Sequence, residues 1–463
     1  MPRSLSEYSD CMIDAGMIQS CDEQNLPQLG CRPRLVAPRS LHEFVPADHA
    51  AHCIRDLVRD ELDLTAILSS YDDERGFPPY HPGMMVAVLL YAYTQGVYSS
   101  RRIARCCEER LDFMAVTAMN MPDFRTISDF RKRHLSALAG LFLQVLLLCR
   151  AAGLVQLGHV AIDGTKLKAN ASRHKAMSYL RMKQAEAALK EQISDWFERS
   201  QRDDAAEEAE CGDRRGDEMP AWVKTKRQRL DRIRAAKAAL EAEAEQEPSA
   251  VDPDGPGPSS GMQAYGRPNR SPDGGPPDRA QRNFTDADSR ILPTREGFIA
   301  GYNGQLAVDA ANQIIVSHRL VTNSADVDGL IPLVDAVRAT LGRKPTEISA
   351  DNGFASEGNL EALAERRINA YVACRRGRQR DEPETTWRRL KKQPRMMAMA
   401  AKIKRAGHRS RYRLRKQIVE PVIGQVKQAR GFRQFLLRGL HRVRHEWALL
   451  CTAHNLLKLA ASR

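Results

Sequence analysis

Apolar residues along the chain change their period several times, and each change marks an element. Ile54, Leu57, Val58, Leu62 and Leu64 fall at helical spacing, so an ordered region of helices opens near Leu41. A turn is predicted through Gly76-Phe77-Pro78-Pro79, with Pro82 in the first turn of a second helix that runs to about Tyr93. Ser99 and Ser100 read as the N-cap of a third helix, which packs through Ile103, Cys106 and Cys107. After Pro122, Thr126 reads as the cap of a fourth, which turns Ile127, Phe130 and Leu138 inward. At His159-Val160-Ala161-Ile162-Asp163-Gly164 the period becomes that of a strand, and the apolar run stops on a carboxylate followed by glycine. α/β enzymes present an acid at a strand end in this way, although Asp-Gly is also a common turn pair.

Helical spacing returns at Ala185, Leu189, Ile193 and Phe197, and again at Leu230, Ile233 and Leu240, which together predict an inserted helical hairpin. From Pro248 to about Pro277 the mixture of Pro, Gly, Ser and Asp cannot form a packed core and reads as a linker. Strand signals resume over Gly297 to Asp309 and Gln313 to Val321, an antiparallel pair joined by the turn at Ala311-Asn312. A helix from about Asp328 to Leu341 follows, and the short strand Glu347-Ile348-Ser349-Ala350 then ends on a second acid, Asp351. A helix through Leu360 and Leu363 and a strand at Ala370 to Ala373 come next. Near the end, Ile418, Val422 and Val426 make a buried stripe with Lys416, Glu420, Gly424 and Lys427 opposite, and Pro421 is expected to start or bend that helix.

Charge adds a partner to this outline. The 463 residues carry a net charge of +13, and from Arg375 to the end there are 25 Lys and Arg against five Asp and Glu. So concentrated a basic surface favours a polyanion, most often nucleic acid, over an acidic small molecule. Trp387, inside that run, could stack on a base or simply pack. Upstream, Arg101, Arg102 and Arg105 share one helix face, and Arg125, Arg131, Lys132 and Arg133 are expected to face outward from the next helix. Two such helices joined by a compact turn read either as a helix-turn-helix for a major groove or as an ordinary solvated pair. The ten cysteines form no C-x-x-C pair and no zinc-like spacing, which suits a reduced cytoplasm. The longest apolar runs, Val86 to Tyr93 and Leu141 to Cys149, fall well short of a bilayer span, so a soluble protein without membrane partners is expected.

Asp163 and Asp351 share a grammar of apolar strand, acid and nearby glycine. Two carboxylates at neighbouring strand ends are costly to hold ionised without a cation, and magnesium bound by oxygens is the usual remedy. Glu420 is the candidate third ligand; alone it would read as a surface glutamate balanced by Lys416 and Lys427.

With these residues in view, the chain resembles the transposases of bacterial insertion sequences that carry an RNase H-like domain with an Asp-Asp-Glu triad. The likeness runs from about Leu41 to Leu459, through His81-Pro82-Gly83-Met84-Met85, Ser99-Ser100-Arg101-Arg102-Ile103, Arg125-Thr126-Ile127-Ser128 and the Asp163 and Asp351 strands. Its most specific part is Val419-Glu420-Pro421-Val422 with Gly424, then Arg438-Gly439-Leu440, Glu446-Trp447-Ala448-Leu449 and His454-Asn455-Leu456-Leu457-Lys458-Leu459. The resemblance implies that Asp163, Asp351 and Glu420 hold two Mg2+ ions, with Mn2+ as a substitute, and that Lys427 contacts DNA near the cut. Related groups place a tyrosine and then an arginine upstream of the glutamate, where this chain has Arg413 and Lys416, with Tyr412 one position early.

The expected architecture is α/β: an RNase H-like mixed sheet with flanking helices, preceded by an all-helical DNA-binding domain and interrupted by a helical insertion. Its parts are a loose arm (1–40), the helical domain (41–155), the catalytic domain (156–172 and 297–463), the insertion (173–247) and a linker (248–296). The expected partners are element ends, target DNA and further copies of the chain. Water would first cut at the element ends, and the freed 3′-hydroxyl would then attack target DNA with no covalent enzyme intermediate. A nuclease that does not join ends, and a binding protein that no longer catalyses, are the competing readings.

Overall fold

Ten-residue β1, His159–Lys168, is the strand on which the rest is stacked. The computed structural model describes residues 44–71, 80–208, 221–246, 275–294, 296–374, 393–407 and 410–462. Among the described residues seven α-helices precede the strand: α1 (Ala50–Asp60), α2 (Thr65–Leu68), α3 (Pro82–Thr94), α4 (Ser100–Glu109), α5 (Leu111–Thr117), α6 (Phe124–Arg133) and α7 (Leu135–Ala151). After it come β2 (Ala176–Ser178), α8 (Tyr179–Glu208), α9 (Ala221–Gln246), β3 (Gln281–Asn283), β4 (Arg290–Thr294), β5 (Gly297–Asp309) and β6 (Ile315–Val321). The chain ends through α10 (Leu330–Leu341), β7 (Glu347–Ala350), α11 (Glu357–Glu365), β8 (Asn369–Val372), α12 (Pro394–Ala406), α13 (Leu414–Gly424) and α14 (Leu440–Ala460).

The main sheet runs β4-β5-β1-β7-β8, with β6 pairing β5 beside β4. β5 is antiparallel to β1, β4 and β6, whereas β7 is parallel to both β1 and β8. The sheet is therefore mixed, and helices cover it. Val160, Ala161 and Ile162 are all buried, because β1 is central and covered on both faces, which hides the two-residue alternation of a half-exposed strand. Trp447 of α14, 1 % exposed, stacks over β5 at Gly304. Asn455 of the same helix brackets β6, accepting from the Ile315 amide at 2.9 Å and donating to the Ile315 carbonyl at 2.9 Å. The apolar residues of the first helices and those of the sheet belong to one cluster of buried residues.

Several boundaries depart from expectation for identifiable reasons. The fourth predicted helix is two, α6 and α7, bent 73° apart after Arg133. Its cap is Asp123, which accepts from the Arg125 amide at 3.1 Å, not Thr126. α5 lies between α4 and α6, so these two are not joined by the compact turn of a helix-turn-helix. Residues 281–283 and 290–294, expected to belong to a linker, form β3 and β4; β3 pairs with β2 and so closes the base of the α8–α9 hairpin. That hairpin has its own small core around Met182, Leu189, Ile193, Leu230, Ile233 and Leu240, from which Phe197 is left exposed. The residues of the turn at 76–79, most of the Pro/Gly-rich stretch, Trp387 and the arm at 1–40 lie outside those described.

Glu446 on α14 is 1 % exposed and accepts from the amides of Leu436 and Leu437 at 3.0–3.2 Å. Burial pushes its carboxyl up to about 7. The folded chain thus holds this proton to higher pH than the unfolded chain, whose glutamate ionises near its ordinary value. The resulting stabilisation is full in acid and is lost as pH rises through about 7. Between pH 6 and 8 it accounts for about 1 kcal/mol. Denaturant unfolding of Glu446→Gln, which has no proton to lose, should be flatter over that range than the parent; parallel profiles would refute this assignment.

Candidate active site

The parallel ladder between β1 and β7 stops at Ile162 opposite Ala350. Asp163 and Asp351 are therefore the next residues on two adjacent parallel strands, brought to one end of the sheet. Asp163 is not at a strand end, as its sequence suggested, nor in a turn: β1 continues through Gly164 to Lys168 against β5. The parallel partner leaves, so Asp163 has no strand paired beside it on that side. β7 does end at Asp351, whose carboxylate accepts from the Gly353 amide at 2.9 Å and caps a single turn of 3-10 helix.

Both carboxyls are partly buried, and both lie above the usual carboxylate range. For Asp163 burial is the main cause, with Asp351 and Asp326 adding to it against the pull of Arg415, and the group reaches about 6. For Asp351 burial again leads, followed by the charge of Asp326. Burial and like charge thus disfavour the ionised forms of both acids in this pocket, against the pull of Arg415.

Glu420 reaches this pocket from α13. Ile418, Val419 and Val422 are buried beneath the helix, while the Glu420 side chain is 47 % exposed. Pro421 lies inside the helix, which begins at Leu414. Having no amide hydrogen, Pro421 leaves the Gln417 carbonyl without its helical donor, and Gln313 Nε2 supplies one at 3.2 Å. A π-helical turn, Gln425–Ala429, follows and carries Lys427 inward, where its ammonium donates to the Lys166 carbonyl of β1 at 2.7 Å. Burial lowers the Lys427 ammonium from its ordinary value.

Arg415 joins the acids. Its guanidinium donates to Asp163 through Nη1 and to Glu420 through Nη2, the latter at 3.2 Å. The residue is 8 % exposed, its Nε has no partner among the described residues, and its guanidinium lies 5.9 Å from the centre of the Tyr412 ring. Arg415 is not among the residues expected from the sequence, where the tyrosine and arginine positions fall at 413 and 416. Tyr412-x-x-Arg415 keeps the two types three residues apart, one position earlier, and that spacing was the available signal. Lys416 is exposed on the same helix.

Among the described residues no three His, Cys, Asp or Glu side chains are gathered closely enough to enclose a metal ion. The donor chemistry nonetheless suits one: hard oxygens, partly buried, with a cationic guanidinium already between Asp163 and Glu420. An ion shared by these two acids would have to replace Arg415.

The basic face of the helical region is only partly as expected. Arg101, Arg102, Arg125, Lys132 and Arg133 are exposed. The guanidinium groups of Arg101 and Arg125 lie 5.1 and 5.5 Å from the centre of the Phe124 ring, which draws the starts of α4 and α6 into one cationic patch. Arg131 does not face outward. It is 7 % exposed and donates to the Tyr98 carbonyl at 2.7 Å and to Ser100 Oγ at 3.2 Å, tying α6 to the start of α4.

Two family models match the chain: a transposase domain (DUF772) over residues 39–133 and a transposase DDE domain over residues 279–456. The second spans Asp351 and Glu420, while Asp163 lies before it on the central strand of the same sheet. No curated protein and no solved structure matches the chain.

Proposed function

We propose that this chain, which belongs to the insertion-sequence transposases, binds the ends of its element, cuts them by metal-assisted hydrolysis and joins the freed 3′-hydroxyls to target DNA. The observation that carries the reading is the pairing of Asp163 with Asp351 at the end of one parallel ladder, with Glu420 linked to Asp163 through Arg415. The run β6-β5-β1-β7-β8 within the six-stranded sheet, antiparallel about β5 and parallel from β1 to β8, supports an RNase H-like core.

Asp163, Asp351 and Glu420 would hold two divalent ions, magnesium or manganese. When bound, such ions lower the pKa of an attacking water or hydroxyl and stabilise the leaving oxygen of an in-line displacement. The residues of the chain do the rest. Burial around the two aspartates keeps their oxygens from being satisfied by bulk water and so raises their demand for a cation. Arg415, once released from Asp163, is placed to receive a phosphate in bidentate fashion. Lys416 and Lys427 add point charges along α13 and the turn after it, and the exposed cations of α4 and α6 supply affinity that does not depend on sequence.

The reading is tested on labelled DNA carrying the sequences that flank the gene. A transposase yields joined products in which the labelled 3′ end is linked to new DNA, whereas a nuclease yields cut ends alone. Within the helical patch, Arg133→Ala should change stability by no more than about 0.5 kcal/mol while reducing the salt slope of DNA binding by about one. Arg131→Ala should instead cost about 2–3 kcal/mol, since it strands buried acceptors. Equal effects on folding from the two substitutions, by denaturant titration, would contradict this division.

A further inference from the structure

Asp326 lies in the connection between β6 and α10, where no periodicity draws attention to it. Its Oδ1 accepts from Asn303 Nδ2 at 2.7 Å and from Gln305 Nε2 at 2.9 Å. Those two residues stand two apart on β5, so they share a face, and each is only 1 % exposed. Both partners are neutral amides, which orient the carboxylate without neutralising it.

Two glycines make room for it. A Cβ on Gly164 would lie 2.6 Å from Asp326 Oδ1, so no other residue fits beside Asp163 while Asp326 holds this place. A Cβ on Gly353 would lie 3.1 Å from Asp326 Oδ2 and 3.1 Å from Asp351 Oδ1, which sets the second oxygen beside the Asp351 carboxylate. Polar residues buried in the middle of a core strand, and a glycine directly after each acid or one residue on, thus serve a single group.

We propose that Asp326 is a fourth carboxylate of the centre, fixed by Asn303 and Gln305, that adds negative charge beside Asp163 and Asp351 for the divalent ion. The proposal rests on the metal reading above. Asp326 Oδ1 lies against Gly164, next to Asp163, and its Oδ2 faces Gly353, close to Asp351, while Arg415 hydrogen-bonds only Asp163 and Glu420 among these acids. Like charges held so close repel, and a divalent cation between them removes the conflict.

The test is Mn2+ binding by full-length protein without DNA, followed through the electron paramagnetic resonance of free Mn2+, so that activity is not the readout. Asp326→Asn, which removes the charge and keeps an oxygen for Asn303 and Gln305, should weaken binding ten- to a hundredfold, the usual effect of changing a group behind a ligand, with metal-free stability close to that of the parent. Asp351→Asn serves as the control. If Asp351→Asn loses binding while Asp326→Asn binds as the parent does, the role of Asp326 is refuted and the metal centre stands. If both variants bind as the parent does, the metal reading itself fails. Should Asp326→Asn not fold, Gln305→Met, which releases one of the two orienting hydrogen bonds, decides the matter. Weaker Mn2+ binding then supports the proposal, and unchanged binding overturns it.

Discussion

Asp351→Asn should lower magnesium-dependent cleavage of element ends about a thousandfold or more, while leaving folding and DNA binding nearly intact. The size of the effect follows from the position. Asp351 follows the last ladder residue of β7, and its carboxyl is held above the usual range by burial and by Asp326. An amide of the same shape keeps an oxygen that can accept from the Gly353 amide, so the local turn survives. What it loses is the negative charge that the proposed divalent ion would require. Cleavage that persists at the parental rate would remove Asp351 from the centre, and a fall in cleavage matched by a fall in DNA affinity would assign it to binding.

Arg415→Leu should destabilise the metal-free protein by about 3 kcal/mol, the usual cost of breaking a buried ion pair by deleting one partner. Its bond to Asp163 joins side chains that are 10 % and 13 % exposed, so water cannot take over for the lost partner. Its bond to Glu420 contributes far less, because that carboxylate is 47 % exposed and screened. Saturating magnesium should recover most of the loss, since the ion replaces the missing cation. Unfolding in denaturant with and without magnesium separates the outcomes: a loss that magnesium leaves untouched would make Arg415 a purely structural residue.

The strands that position the site were readable because their chemistry is local. Glu347–Ala350 ending on Asp351 is a short apolar run with an acid after it, and β5 and β6 follow the run, turn, run pattern of an antiparallel pair. Apolar residues do lead into Asp163, but the strand continues beyond it, and Gly164 makes space for Asp326 instead of turning the chain. Arg131 was misplaced because a helical wheel assigns faces but not what lies against them; the start of α4 covers the face on which Arg131 stands. Arg415 and Asp326 escaped notice because their meaning lies in contacts across more than 100 residues, Arg415 to Asp163 and Asp326 to the Asp163–Gly164 backbone. Asn303 and Gln305, two polar residues on one face of a strand otherwise buried, were the one local trace of Asp326.

In the proposed centre Asp163, Asp351 and Glu420 bind a divalent ion directly through their side chains. Exchanging Asp351 for cysteine tests it most directly, because a thiolate binds magnesium poorly and the softer manganese much better. Cleavage of labelled element ends by Asp351→Cys should be lost in Mg2+ and restored in Mn2+, with parental protein active in both. Equal loss in the two metals, or equal activity in both, would contradict a direct ligand at this position.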